Sequence, residues 1–181
     1  MEMGNASHPV MFVKKLNLVD IKERYKALKK TYHENLVNLI DISLGRDAVY
    51  LVYERTGLSL KEIKAHGRVL FDEISVATIC REMIHGLIYI HDVLKQHHGD
   101  LHCGNVYINE DGEVHIGDIG NSMIRKEDEN GISHDIQAIY KIASSLLDIE
   151  ARSDRRSMSF YLADHFTKLL SDIPLQELLK V

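Results

Sequence analysis

The stretch His97–Gly120, HHGDLHCGNVYINEDGEVHIGDIG, decides how this chain is read. Its first half is a polar loop that carries Asp100 and, further on, Asn105. A short apolar run follows, Val106–Ile108, then a polar connection ending Asp111-Gly112, a second run through Val114 and Ile116, and Asp118-Ile119-Gly120. Asp-Gly between two alternating runs is a strong hairpin signal, because both residues tolerate the left-handed backbone of tight turns. A hairpin brings the two ends of the stretch together. Asp100, Asn105 and Asp118 then surround one point with oxygen atoms, as a hard divalent cation beside a phosphate requires. The plainer reading is that all three are turn formers bonded to their own backbone. His97, His98, His102 and Cys103 are zinc-type donors as well, but no second cluster completes a four-ligand set.

HGDLHCGN followed by DIG resembles the H-R-D-L-x-x-x-N and D-F-G motifs of the protein kinase superfamily, at the family's spacing between Asn and Asp. The resemblance implies that Asp100 orients or deprotonates an acceptor hydroxyl, that Asn105 and Asp118 hold magnesium on the phosphates of ATP, and that His98 packs without ligating. Upstream, Val10–Leu16 reads as a strand that resembles V-A-I-K. That makes Lys14 the phosphate-gripping lysine, paired with a helix glutamate; a strand ending in two lysines is equally an ordinary solvated edge. Residues 18–32 have the spacing of an amphipathic helix with Val19, Tyr25, Leu28 and Tyr32 as its inner stripe. Glu23 is the glutamate the resemblance asks for after a one-residue shift, the family position itself holding Arg24. His33–Leu39 resembles the family's H-P-N-I-V-x-L, Asp41–Arg46 is assigned to a turn, and Ala48–Glu54 reads as the strand leading to the hinge. The resemblance implies that Tyr53 stands behind the adenine pocket and that the backbones of Glu54 and Thr56 bond the adenine edge.

Further along, Leu58–Ile63 suggests a short helix and Gly67 a break. From Glu73 to His91 the residues Val76, Ile79, Cys80, Met83, Leu87 and Ile90 recur at helical spacing. Asn121–Ser133 reads as a short, mostly polar segment with a solvated turn at Lys126–Gly131. Asp135 is expected to cap a helix through Leu147 whose inner face is Ile136, Ile139, Tyr140, Ala143, Leu146 and Leu147. In the family such an aspartate ties down the catalytic loop. Two closing helices are expected at Met158–Leu170 and, after Pro174, Leu175–Leu179. Strands early and helices later make the class α+β, a protein kinase-like fold with a reduced N-terminal lobe.

At 181 residues and 45% hydrophobic the chain suits one domain, with residues 10–56 as a residual N-lobe and hinge and 57–181 as the C-lobe, shorter than the usual two-lobed kinase. A formal charge of −5 argues against nucleic acid and anionic membrane as partners. Cys80 and Cys103 lie in unrelated contexts, which argues against a disulfide framework. No run is long enough to span a bilayer and no secretion signal opens the chain, so a cytoplasmic location is expected. The sequence also departs from the family. No G-x-G-x-x-G precedes the strand, and Phe12 stands where the family has a small Ala over adenine, a crowding that costs about 1–3 kcal/mol. Gly99 replaces the Arg that answers a phosphorylated loop. His102 replaces a Lys and, with Gly104, makes the loop equally similar to aminoglycoside and choline phosphotransferases. Three functions follow in order: weak ATP- and magnesium-dependent phosphoryl transfer to a protein hydroxyl, a non-catalytic module that binds a partner such as a full kinase, and a small-molecule phosphotransferase. Oligomeric state is left open.

Overall fold

A computed structural model describes residues 11–67, 69–125 and 128–148, with Glu177 and Leu179. The two expected closing helices fall outside the described residues apart from those last two, as do Val10, Lys126 and Glu127.

Two antiparallel three-stranded sheets frame the molecule. The first has the order β1 (Phe12–Asn17), β3 (Ala48–Tyr53), β2 (Leu39–Leu44). In β3, Val49, Leu51 and Tyr53 point inward and are buried while Tyr50 faces out, the period-2 alternation of a strand. On β1, Lys14 lies opposite Leu51 and Phe12 opposite Tyr53. The second sheet has the order β4 (Leu58–Ser59), β5 (Val106–Ile108), β6 (Val114–Ile116). The first sheet's neighbourhood is fastened to the second by backbone: Val37 N donates to Ile116 O at 2.8 Å and Ile116 N to Asn35 O at 2.8 Å.

Several expectations are corrected here. Asp41–Leu44 belongs to β2, and the turn is confined to Gly45–Asp47, closed by Gly45 N to Ala48 O at 2.8 Å. Residues 18–32 do not form one amphipathic helix. A single turn, α1 (Leu18–Ile21), breaks at Lys22, whose φ is +44°, and passes into a 3-10 stretch over Lys22–Ala27. Tyr25 and Leu28 pack partly, but Val19 and Tyr32 are 81% and 92% exposed. A short helix draws its stability from a buried face, and this charge-rich segment has too little of one. It is held instead by polar ties, Arg24 Nη1 to Ile124 O at 2.9 Å among them.

The helices form the rest of the core. α2 (Leu60–Ala65) starts two residues later than expected, because Leu58 and Ser59 pair with β5; Ser59 and Glu62 form a reciprocal capping box. Gly67, at φ +63°, ends the turn beyond it. α3 (Glu73–Ile88), capped by Asp72, continues into a π-helical turn over Tyr89–Val93. Every inward residue read from its spacing, Val76 to Ile90, is buried. The segment after Asp118 is not a polar connection at its start: α4 (Ile119–Ile124) begins there and buries Ile119, Ser122, Met123 and Ile124. α5 (Gly131–Leu146) starts before Asp135, so Asp135 is an interior residue and not a cap. Its buried face is Ile139, Ile142, Ala143 and Leu146, with Leu147 beyond the end. Among the described residues, no helix is long and apolar enough to cross a membrane.

Candidate functional site

The hairpin forms as its spacing predicts, with Val106, Tyr107 and Ile108 opposite Ile116, His115 and Val114. Its loop is longer than a two-residue turn. Asn109 Oδ1 accepts from Asp111 N at 3.0 Å and Glu113 N at 2.9 Å, and Gly112 takes φ +83°, a value that favours glycine.

The loop before β5 is fixed from below. Buried Asp135 accepts from His98 N at 2.7 Å, Gly99 N at 2.8 Å and His91 Nε2 at 2.8 Å. Burial alone would raise its pKa, but these bonds outweigh it and hold the carboxyl below the usual range. His98 is also buried. Its Nε2–H donates to Gly117 O at 2.9 Å and its Nδ1 accepts from Asp100 N at 3.3 Å, which assigns the neutral tautomer. Burial pushes the His98 pKa down. Asn105 clasps the loop from within: its Nδ2 donates to Asp100 O at 2.6 Å and its Oδ1 accepts from His102 N at 3.0 Å.

Asp100, Asn105 and Asp118 line one cleft of about 460 Å³, together with Lys14, Phe12, Tyr53, Thr56 and His102. Lys14 Nζ lies 2.5 Å from Asp118 Oδ1, and Asn121 Nδ2 donates to Asp118 Oδ2 at 2.9 Å. The expected pairing of Lys14 with Glu23 is therefore corrected. Glu23 pairs with Lys26 on the surface, because the broken helix leaves it outside the cleft. Arg125 Nη2 reaches Asp100 Oδ2 at 3.2 Å. Behind the cleft, the Tyr53 hydroxyl accepts from Gly120 N at 3.2 Å; burial, helped by the Asp118 charge, pushes its pKa up. Phe12 leans on Tyr53 with ring centroids 6.2 Å apart and forms part of the cleft wall.

Glu54 is placed differently from Thr56. Its N–H donates to Asn38 O at 3.1 Å and its carboxylate accepts from Asn38 N at 2.8 Å, so Glu54 lines a second hollow, whereas Thr56 lines the cleft. Of the zinc-type donors, His98 and His102 are engaged by backbone groups, the latter through Gly104 N to Nδ1 at 2.9 Å. No group of three or more His, Cys, Asp or Glu side chains is gathered for a metal among the described residues. Asn121 and Arg125 were missed by sequence reasoning. The i, i+3 spacing from Asp118 to Asn121 was the available signal, hidden by reading the segment as a polar loop.

Residues 7–148 match the family described as the protein kinase domain. Serine/threonine-protein kinase 1 of Arabidopsis thaliana is 31% identical over 119 residues, covering 61% of this chain and 14% of that protein. Cyclin-dependent kinase 12 of Drosophila melanogaster is 29% identical over 143 residues, 68% of this chain and 12% of that one. A receptor-type guanylate cyclase, gcy-4 of Caenorhabditis elegans, is 23% identical over 150 residues, 80% of this chain and 13% of that one. The chain thus spans 12% to 14% of the length of these curated relatives. Among solved structures, that of Rad53 1-466 in complex with AMP-PNP superposes with a TM-score of 0.64 at 18% identity, over 92% of this chain and 54% of that one, which shows a shared fold.

Proposed function

Because this chain belongs to the protein kinase family, we propose that its cleft binds ATP with magnesium and directs the terminal phosphoryl group to a protein hydroxyl. The observation that supports this reading most is that Lys14, Asp100, Asn105 and Asp118, from a strand, a loop and the end of a hairpin, line the same cleft. Asp118 and Asn105 would hold the magnesium, whose charge would stabilise the negative charge on the phosphates. The residues fit such a group: a carboxylate and an amide oxygen are hard donors, two protein ligands suffice for a cation that keeps waters and phosphate oxygens, and the cleft lies within the usual range for small-molecule sites.

Each residue then has one task. Asp118 and Asn105 hold the cation, the Asn105 oxygen using its second lone pair since the first accepts from His102 N. Lys14 transfers its charge from Asp118 to phosphate. Asp100 orients the acceptor hydroxyl and takes its proton, and Thr56 with the Glu54 carbonyl borders the base. In this reading residues 10–56 are the N-lobe and hinge and 57–181 the C-lobe of one kinase-like domain. Two free cysteines, Cys80 buried and Cys103 partly so, suit a cytoplasmic setting.

A second reading is favoured by one observation: both acids are already neutralised by the chain's own cations, Asp118 by Lys14 and Asp100 by Arg125. A module that only binds a partner would keep these pairs closed. The two readings separate on a thermal shift with ATP and magnesium, since a ligand at 100 times its Kd adds about 2.7 kcal/mol of stability. Transfer predicts a shift whose magnesium-dependent part disappears in Asp118→Ala, and incorporation of labelled phosphate that disappears in Asp100→Asn. No shift favours the binding module, and incorporation that survives Asp100→Asn removes the transfer reading.

A further inference from the structure

At the acceptor end of the cleft a guanidinium stands directly against the carboxylate of Asp100. Arg125 stands at the end of α4 and crosses Gly99, where a Cβ would meet Arg125 Cδ at 2.9 Å. Gly99 itself has φ +72°, so the backbone there disfavours a side chain and leaves the space to Arg125. The guanidinium ends on Asp100 Oδ2 at 3.2 Å, with the Arg125 side chain still 37% exposed. Beside it, His102 accepts from Gly104 N through Nδ1, so its Nε2–H is a donor on the cleft wall. The Lys61 stem passes 3.8 Å from the Cβ position of Gly104, and no described side chain pairs with its ammonium.

Of the other acids nearby, neither Glu62 nor Asp128 is turned to Arg125. Glu62 accepts from Ser59 N at 2.8 Å and from Ser59 Oγ at 2.6 Å, and Asp128 lies 2.9 Å from His134 Nδ1. Among the described residues Arg125 therefore has one carboxylate partner, Asp100, and that partner is the oxygen pair an acceptor hydroxyl must approach. An incoming hydroxyl competes with the guanidinium. An acceptor that brings its own anion supplies Arg125 with a replacement and frees Asp100 in the same step, whereas a cationic acceptor meets Arg125, Lys61 and His102 together.

We propose that Arg125 is a specificity-determining residue that closes Asp100 in the resting chain and yields it to acidic peptides, those with a carboxylate flanking the acceptor hydroxyl. The proposal rests on the phosphotransfer reading of the cleft, and its test reads binding, so the two can fail separately. Two fluorescent serine peptides, identical except that Glu or Lys flanks the serine, are titrated by anisotropy into the full chain with magnesium and a non-hydrolysable ATP analogue. One charge-assisted Arg–carboxylate contact makes the Glu peptide bind about tenfold more tightly. Arg125→Glu reverses the preference and Arg125→Lys retains most of it, a rescue that a merely structural role for Arg125 would not give. If Arg125→Glu fails to fold by circular dichroism, Arg125→Gln replaces it and abolishes the preference. Equal binding of the two peptides, or a preference for Glu that survives Arg125→Glu or Arg125→Gln, overturns the proposal. Acidic preference without incorporation of labelled phosphate overturns the transfer reading alone.

Discussion

The two walls of the cleft are built to different standards. On the hairpin side, Asp100 and Asn105 sit in a loop whose backbone is bonded to Asp135, His98 and Asn105 itself, over buried Val106, Val114 and Ile116. On the sheet side, Lys14 extends from β1, where Phe12 and Val13 are 59% and 54% exposed, and its placement depends on one ion pair across the cleft. Buried, multiply bonded groups resist displacement, while a single partly exposed pair exchanges partners more easily. The difference teaches that the backbone carrying Asp100 and Asn105 is fixed in advance, whereas the group that would grip phosphate waits on its ligand.

Breaking the fixed wall gives the largest effects. Asp135→Ala removes the acceptor of three bonds and leaves the His98 and Gly99 amides unpaired; urea denaturation is expected to show a loss of about 3–5 kcal/mol. A change below 1 kcal/mol would mean that the loop is held by something else. Gly57→Ala drives a Cβ to within 1.7 Å of Ile108 O, a collision with backbone that side-chain rotation does not relieve. The expected loss is about 3 kcal/mol, at the upper end of overpacking costs, read as a drop in melting temperature.

Acidification tests the same wall more gently. The folded pKa of His98 is lowered by burial, so near pH 6 the unfolded chain binds the proton that the folded chain refuses. Stability from this group is complete above about pH 6.5, the unfolded value, and falls as the pH drops below it. Asp135, whose folded pKa is also lowered, adds its own loss only at pH values below about 4. The urea midpoint should decline between pH 7.5 and 5.5, and less steeply in His98→Asn; a flat profile would show that His98 is not held neutral.

The sheet side should tolerate change. Lys14→Met is expected to alter stability by less than about 1 kcal/mol, because the pair it breaks is partly solvated, and to weaken ATP binding measured by calorimetry. Phe12→Ala should likewise leave the melting temperature nearly unchanged but tighten ATP, since it removes a ring from the cleft wall. A large loss of stability in either variant would contradict the contrast between the walls.

What was legible in the sequence follows the same division. The hairpin and the buried face of α3 could be read because period-2 and period-3.6 patterns specify them locally, whereas the tie from Asp135 to the loop, 37 residues away, could be read only through the resemblance to the kinase family. The segment from Leu18 to Tyr32 was misread because its helical spacing was not matched by buried surface; contacts with α4, a hundred residues away, decide its path. α4 itself was hidden for a related reason. Gly120, Asn121 and Ser122 look like loop formers, yet Gly120 N is received by Tyr53, Asn121 by Asp118 and Ser122 Oγ by the His98 carbonyl. The partner of Lys14 was misjudged in consequence, since Glu23 could reach it only from an intact helix.

The central claim is that one cleft brings Lys14, Asp100, Asn105 and Asp118 to a single nucleotide-bound cation. Paramagnetic Mn²⁺ in place of magnesium reports this directly, because it broadens the NMR signals of nearby amides when added with ATP. The account predicts that the amides of Asn105, Gly117, Asp118 and Asp100 broaden first and that Asp118→Ala abolishes the effect. Broadening confined to surface acids such as Glu110 and Asp111, with the cleft amides untouched, would contradict it.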